Sequence, residues 1–298
     1  NYTNYLKKKY PMNTRPLLGI NFDEVSDDIH VASSLIKELD LGIGEVRTIN
    51  KKNFVFWDES EIAQFKHHVD THSIKVVAAA SPLFKWYSHP DDNEVTHDSF
   101  GFNPRLSDEE KRDIISKAIK TASTLSIPRI RIFSELGVYD PEADSFTHHP
   151  LLAFALEEAK KHSIDLYIEN EPVCKIHTKE TLVALFKANK TDNLKLWLDI
   201  ANLIELDEDI DDAFLKEIAP RIGYIHVKDF VIENGTKKYV AVGDGSINYT
   251  DILSRVLRYC PDDTIVTVET HAQLDKVEIS RKSLLYTKSL LNKLFEEA

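Results

Sequence analysis

The stretch DLYIENEP, residues 165–172, begins as a strand and ends in a problem of charge. Leu166, Tyr167 and Ile168 suit a pleated, apolar environment, but Glu169, Asn170 and Glu171 follow at once, with no turn residue before Pro172. A single charged strand end is ordinary, because strands commonly surface into loops. Its meaning therefore depends on whether other strands end the same way.

Seven further apolar runs have the same character: LLGINF (17–22), GEVRTI (44–49), IKVVAAA (74–80), RIRIF (129–133), LKLWLD (194–199), IGYIHV (222–227) and TIVTVE (264–269). They are rich in Ile, Val and Leu and do not alternate strictly, as expected of parallel strands covered on both faces. Helical patterns separate them. Ser26 precedes one helix, Ser107 with Glu110 forms a capping box, and Thr178 with Thr181 opens another helix. In SDEEKRDIISKAIKTASTL, Ile114, Ile115, Ala118, Ile119 and Ala122 share one face. Strand then helix, eight times, predicts a single-domain (β/α)8 TIM barrel over 16–298, preceded by an N-terminal tail over 1–15.

Two connections are long. Residues 81–106 are rich in aromatics and are predicted to form a lid over the barrel mouth. Residues 230–245 contain Asn234-Gly235 between two β-like runs, the signal of a hairpin insertion.

The 298 residues are 42% hydrophobic and 29% charged, enough for a large core, and the net charge of −12 opposes binding to nucleic acid. No run has the length of a transmembrane helix, and the N-terminal segment lacks the apolar core of a signal peptide. Cys174 and Cys260 have no metal-type spacing and form no disulfide framework. The expectation is a cytoplasmic protein with no nucleic-acid or membrane partner.

In such a barrel the functional site forms at the C-terminal ends of the strands. Strand five ends at Glu169, strand six at Asp199, strand seven carries His226 and strand eight ends at Glu269, at spacings of 30, 27 and 43 residues. Carboxylates and an imidazole gathered at one mouth would repel and desolvate one another without a cation between them. Three carboxylates and one imidazole suit Mn²⁺ or Mg²⁺ better than a structural Zn²⁺, which favours thiolates and imidazoles, although Co²⁺ or Zn²⁺ is compatible with the donors.

LYIEN, LWLDIAN, IGYIHVKD followed by VGDGSINY, and VTVETH together resemble the motif series of the sugar phosphate isomerase/epimerase superfamily, the xylose-isomerase-like barrels of the AP-endonuclease-2 type. The resemblance runs through nearly the whole chain in order and spacing. It implies that Glu169, Asp199, His226 and Glu269 bind one divalent metal ion and that Glu169 and Glu269 also serve as the acid/base pair. The activity it implies is isomerisation or epimerisation of a small sugar, sugar phosphate or polyol ketone through a metal-bound enediolate. Dehydration of the inosose or 3-dehydroshikimate type is the alternative, ahead of an endonuclease IV-like activity or a non-catalytic barrel. Many relatives carry a His three residues after the strand-six Asp, where this chain has Asn202; an amide is a poor ligand for a zinc cluster, which counts against the endonuclease reading. The partner expected is a small carbohydrate-like molecule, and a homo-oligomer is compatible with the fold.

Five residues are candidates for substrate contact: Asn202, Lys228, His271, Arg47 and Trp86. Each has a structural alternative. Lys228 is either a carboxylate- or phosphate-binding group on the same strand face as His226 or a surface lysine paired with Asp229. Arg47 either meets substrate or pairs with Glu45 in the barrel floor. His271 can cap a carbonyl, and Trp86, with Phe84 and Tyr87, can pack against the rim. Arg129 and Arg131, on one face of strand four, are read as structural, and Cys174 as a buried filler.

Overall fold

A computed structural model of the chain describes residues 14–97, 101–140 and 146–295. The tail expected over 1–15 lies almost wholly outside the described residues. Eight parallel strands form one sheet: β1 (Leu18–Ile20), β2 (Ile43–Val46), β3 (Lys75–Ala79), β4 (Arg129–Ile132), β5 (Asp165–Glu169), β6 (Leu194–Asp199), β7 (Ile222–Val227) and β8 (Ile265–Val268). Their hydrogen-bonded order is β1-β8-β7-β6-β5-β4-β3-β2, and the two end strands meet at a single parallel bridge between Asn21 and Glu45, which nearly closes a barrel. Each strand lies within a predicted run or starts one residue before it. Among the described residues no helix is long and apolar enough to cross a membrane.

The caps explain where the helices start. Ser107 and Glu110 close a reciprocal capping box on Asp108–Thr124, and Thr178 with Thr181 does the same on Lys179–Ala188. Ser26 acts one step back. The cap of Ile29–Glu38 is Asp28, whose carboxylate accepts from the His30 N–H, while the Ser26 hydroxyl accepts from Asp28 N–H.

Inside the barrel, Ile43, Val77, Ala78, Ala80, Tyr167, Trp197, Tyr224 and Ile265 form a buried layer separate from the larger core between sheet and helices. Trp197 and Tyr224 stack with ring centres 3.8 Å apart. This layer is the floor beneath the strand ends.

Of the lid expected over 81–106, residues 98–100 lie outside the described residues and Pro82, Lys85 and Gly101 line the pocket at the barrel mouth, but the aromatics are placed elsewhere. Leu83, Phe84, Trp86 and Tyr87 are buried, and the carbonyls of Leu83, Phe84 and Trp86 accept from the N–H groups of Phe133, Glu135 and Leu136. The aromatics that suggested a cover over the mouth are thus core residues, stitched to the chain that follows β4; the apolar area they bury outweighs any gain from waiting at a wet rim. The hairpin is present, with Asp229–Glu233 paired antiparallel to Thr236–Val240 around Asn234 and Gly235, both at positive φ. The VGDGS stretch then folds onto Asp229, whose carboxylate accepts from the N–H groups of Phe230, Gly243, Gly245 and Ile247.

At Gly223, on β7, a Cβ would lie 2.6 Å from Cε1 of Tyr167, in the middle of the barrel layer. Gly223→Ala is expected to cost about 1–3 kcal/mol through overpacking, read as a lower midpoint in urea with an unchanged slope. An unchanged midpoint would mean that Tyr167 can yield.

Candidate metal and acid/base site at the barrel mouth

Parallel register brings the four strand-end groups together. Asp199 pairs with His226 across β6 and β7, Glu169 lies opposite Trp197, and the Glu269 N–H extends the ladder to the Val227 carbonyl. Glu169, Asp199, His226 and Glu269 are all buried, and each offers a donor atom within 4.8 Å of the others. Such a group can hold a metal ion.

The imidazole is oriented from behind. Glu45, at the end of β2, is fully buried and accepts from Asn21 Nδ2 at 2.8 Å, Tyr224 OH at 2.9 Å, Thr267 Oγ1 at 2.9 Å and His226 Nε2 at 3.1 Å. With Nε2–H committed to Glu45, Nδ1 faces the centre, 3.5 Å from Glu169 Oε1 and 3.4 Å from Glu269 Oε2, without a hydrogen-bond partner. A histidine that gives one N–H to a carboxylate and keeps the other nitrogen bare is arranged as metal-ligating histidines are. Asp199 Oδ2 and Glu169 Oε2 also lack a partner of hydrogen-bonding geometry, although each faces a cation. His226 Nδ1, the Glu169 and Glu269 oxygens turned toward it and the Asp199 carboxylate beside them make a buried donor set that fits a divalent ion.

Cations hold the carboxylates ionised. Arg131 Nη1 lies 3.0 Å from Glu169 Oε2, and Arg47 Nη1 lies 3.0 Å from Glu269 Oε1. Lys228 Nζ sits 2.9 Å from Asp199 Oδ2 and 3.5 Å from Glu269 Oε2. Burial opposes ionisation of Glu169, yet Arg131 and His226 prevail and hold it down to about 2. Glu269 is likewise held well below the usual range against burial, by His271, His226 and Lys228. Asp199 moves the other way, raised by burial and by Glu169 and Glu269 despite Lys228. His226 is raised well above its ordinary value, because Glu45 and Glu269 outweigh the cost of burying its charge.

The neighbouring loops are tied down by the same charges. Asn170 exchanges two hydrogen bonds with the Asp199 backbone, its amide donating to the carbonyl at 2.9 Å and its oxygen accepting the N–H at 2.8 Å. Glu24 Oε2 accepts from Thr270 N, Thr270 Oγ1 and His271 N, fixing the chain beyond Glu269, and its other oxygen receives Arg47.

A pocket of about 490 Å³ opens here, a size suited to a small ligand, and Arg47, Arg131, Glu169, Glu171, Glu269 and His271 are among its lining residues. Of the five substrate-contact candidates, Arg47 and His271 line it and three do not. Trp86 has no exposure and packs on Phe84, so it offers no ring face to a sugar. The Asn202 amide donates to the Asn170 carbonyl at 3.0 Å, buried behind the site. Lys228 is buried and held between Asp199 and Glu269, so neither the substrate contact nor the surface pair with Asp229 describes it. Arg47 makes no floor pair with Glu45; lying one residue past β2, it reaches Asp23, Glu24 and Glu269.

Two residues were undervalued from sequence. Arg131 alternates with Ile130 and Ile132 on β4, so it points inward one strand from Glu169, a signal the strand pattern carried. Glu45 was read only as a partner for Arg47. Nothing local to GEVRT shows that β2 closes against β1 and leaves its carboxylate beside His226. Cys174 is fully buried, and burial pushes its thiol well up, as expected of a filler.

The family model for the xylose isomerase-like TIM barrel matches residues 36–290 of the chain. A curated protein of Escherichia coli strain K12, the uncharacterised YihM, is 30% identical over 121 residues, which are 39% of this chain and 36% of YihM, so the match spans about a third of that relative. A crystal structure of IOLI protein with a bound zinc atom superposes with a TM-score of 0.72 at 16% identity, covering 93% of this chain and 99% of the other. A structure of L-ribulose 3-epimerase gives 0.69 at 15% identity, covering 94% and 96%.

The depressed Glu169 value has a direct consequence for stability. A carboxylate held below its unfolded value of 4.5 stabilises the fold above that pH and loses the contribution as pH falls toward about 2. In metal-free protein, Glu169→Gln should flatten the pH dependence of the urea midpoint between about 4.5 and 2. An unaltered slope there would show that Arg131 does not hold Glu169 ionised.

Proposed function

Since the chain belongs to the xylose isomerase-like TIM barrel family, we propose that it is a divalent-metal-dependent isomerase or epimerase of a small sugar, sugar phosphate or polyol ketone, acting through an enediolate. The observation that carries this reading is the convergence of Glu169, Asp199, His226 and Glu269 at the mouth, with His226 Nδ1 unpartnered and one oxygen of each glutamate turned toward it. These four residues are the proposed ligands of one ion. Three carboxylates favour Mn²⁺ or Mg²⁺, with Co²⁺ or Zn²⁺ as alternatives. When bound, the ion supplies Lewis acidity to a carbonyl oxygen and so acidifies the adjacent C–H.

Of the four, only Glu169 and Glu269 line the pocket, so they are the carboxylates that can meet substrate. Each commits one oxygen to an arginine and turns the other toward His226. Both therefore enter the reaction ionised, able to take a proton from carbon. The glutamate that takes the proton from carbon becomes the acid that can return it to the neighbouring carbon, which isomerises the sugar. Inversion requires that the opposite glutamate first take a proton from solvent, which it then delivers to the other face. Asp199 and His226, buried away from the pocket, hold the geometry, and Arg47 and Arg131 keep the two bases charged and aimed.

One observation favours dehydration as the second reading. His271 lines the pocket with Nε2 3.2 Å from Glu269 Oε2, placed to protonate a departing β-hydroxyl. A ketose screen in deuterated water separates the two, because dehydration loses water from the labelled product and isomerisation does not.

Two variants test the assignment. Glu269→Gln keeps an oxygen donor but cannot accept a proton, so it is expected to retain metal and lose solvent deuterium exchange by about 100-fold or more. If a confirmed substrate turns over in the parent protein without solvent exchange, a hydride shift replaces the two-glutamate role. Glu45→Leu removes the acceptor behind His226 and is expected to weaken Mn²⁺ binding by about 10–100-fold, measured by titration calorimetry. Parent-like affinity would remove Glu45 from the account.

A further inference from the structure

Away from the mouth, the described residues hold a second metal-competent group, His30, His68 and His72, whose ring nitrogens lie within 4.8 Å of one another. His30 stands in the first turn of Ile29–Glu38. His68 lies in the last turn of Glu59–Thr71, and His72 caps that helix. Four residues apart at a helix end, His68 and His72 share one face, with ring centres 4.1 Å apart. His30 meets them edge-on from the other helix, at 4.7 Å and 6.2 Å.

The hydrogen bonds of His68 and His72 each occupy one ring nitrogen and leave the other free. His72 Nδ1 lies 2.8 Å from the His68 carbonyl, which can only accept, so Nδ1 carries the proton and Nε2 keeps its lone pair. His68 Nε2 lies 2.8 Å from the hydroxyl of the buried Ser33, which can accept its proton and leave Nδ1 as the donor. A ring whose far N–H is anchored on a carbonyl or hydroxyl is oriented as metal-ligating histidines are. A cleft of about 310 Å³, lined by His30 and His68 together with Trp57, Glu61 and Phe65, leaves room at the group for a water as a further ligand.

We propose that His30, His68 and His72 form a second metal site, which takes a borderline divalent ion such as Zn²⁺ and staples the helix after β1 to the helix that follows β2. Three imidazoles with no carboxylate select zinc, nickel or copper over manganese and magnesium, the reverse of the preference at the mouth. The two sites are thereby separable by choice of metal. The proposal does not rest on the function assigned to the mouth.

The test is equilibrium dialysis of the full chain against micromolar Zn²⁺ and, separately, Mn²⁺, for the parent, His30→Ala and His72→Gln. His30 is exposed, so its variant is expected to fold as the parent does. Both variants should bind one equivalent of Zn²⁺ fewer than the parent and the same amount of Mn²⁺. Co²⁺ loaded in place of Zn²⁺ should show a visible absorption band in the parent that both variants lose. Equal Zn²⁺ capacity in the parent and both variants overturns the site.

Discussion

Six carboxylates buried around one barrel mouth set the terms for everything near them. Asp23, Glu24, Glu45, Glu169, Asp199 and Glu269 face three permanent cations, Arg47, Arg131 and Lys228. Removing one partner of a buried pair leaves a charge stranded in low dielectric, which costs several kcal/mol, so the arrangement holds only as a network. Without metal, protonating His226 balances one more negative charge; a divalent ion bound at Nδ1 takes the place of that proton and balances two. The raised value of His226 and the raised value of Asp199 are two expressions of the same excess, one accepting a proton readily and the other giving it up reluctantly.

The network also explains why the chain is built as it is around the mouth. Glu24 fixes the loop beyond β8 through three donors, Asn170 locks β5 to the start of the helix after β6, and Asp229 gathers the GDG turn through four backbone N–H groups. Each device places an ionised or amide side chain against backbone that the barrel leaves without ladder partners. The site is therefore held by loops that are themselves held by charge, and its geometry is set before any substrate arrives.

Much of this was legible in the sequence, for a physical reason. Parallel strands covered on both faces must be apolar, so the runs at 165–169, 194–199 and 222–227 coincide with β5, β6 and β7. Polar residues at their ends stand out against that background, which is why Glu169, Asp199, His226 and Glu269 were visible as a group. What stayed hidden depends on contacts between distant segments. Lys228 follows His226 on the same face, but only the closed barrel shows that Asp199 and Glu269 claim it; Trp86 has the composition of a lid and the surroundings of a core. Glu45 and Tyr224 are separated by 179 residues, and no local pattern joins them.

The central claim is that the excess negative charge at the mouth is a place for a divalent ion. Crystals of the protein soaked in Mn²⁺ and measured at the manganese absorption edge test it most directly. The account predicts one anomalous peak within bonding distance of Glu169, Asp199, His226 Nδ1 and Glu269. A map with no peak there, and with His226 Nδ1 still 3.4–3.5 Å from the two glutamates with nothing between, would contradict it.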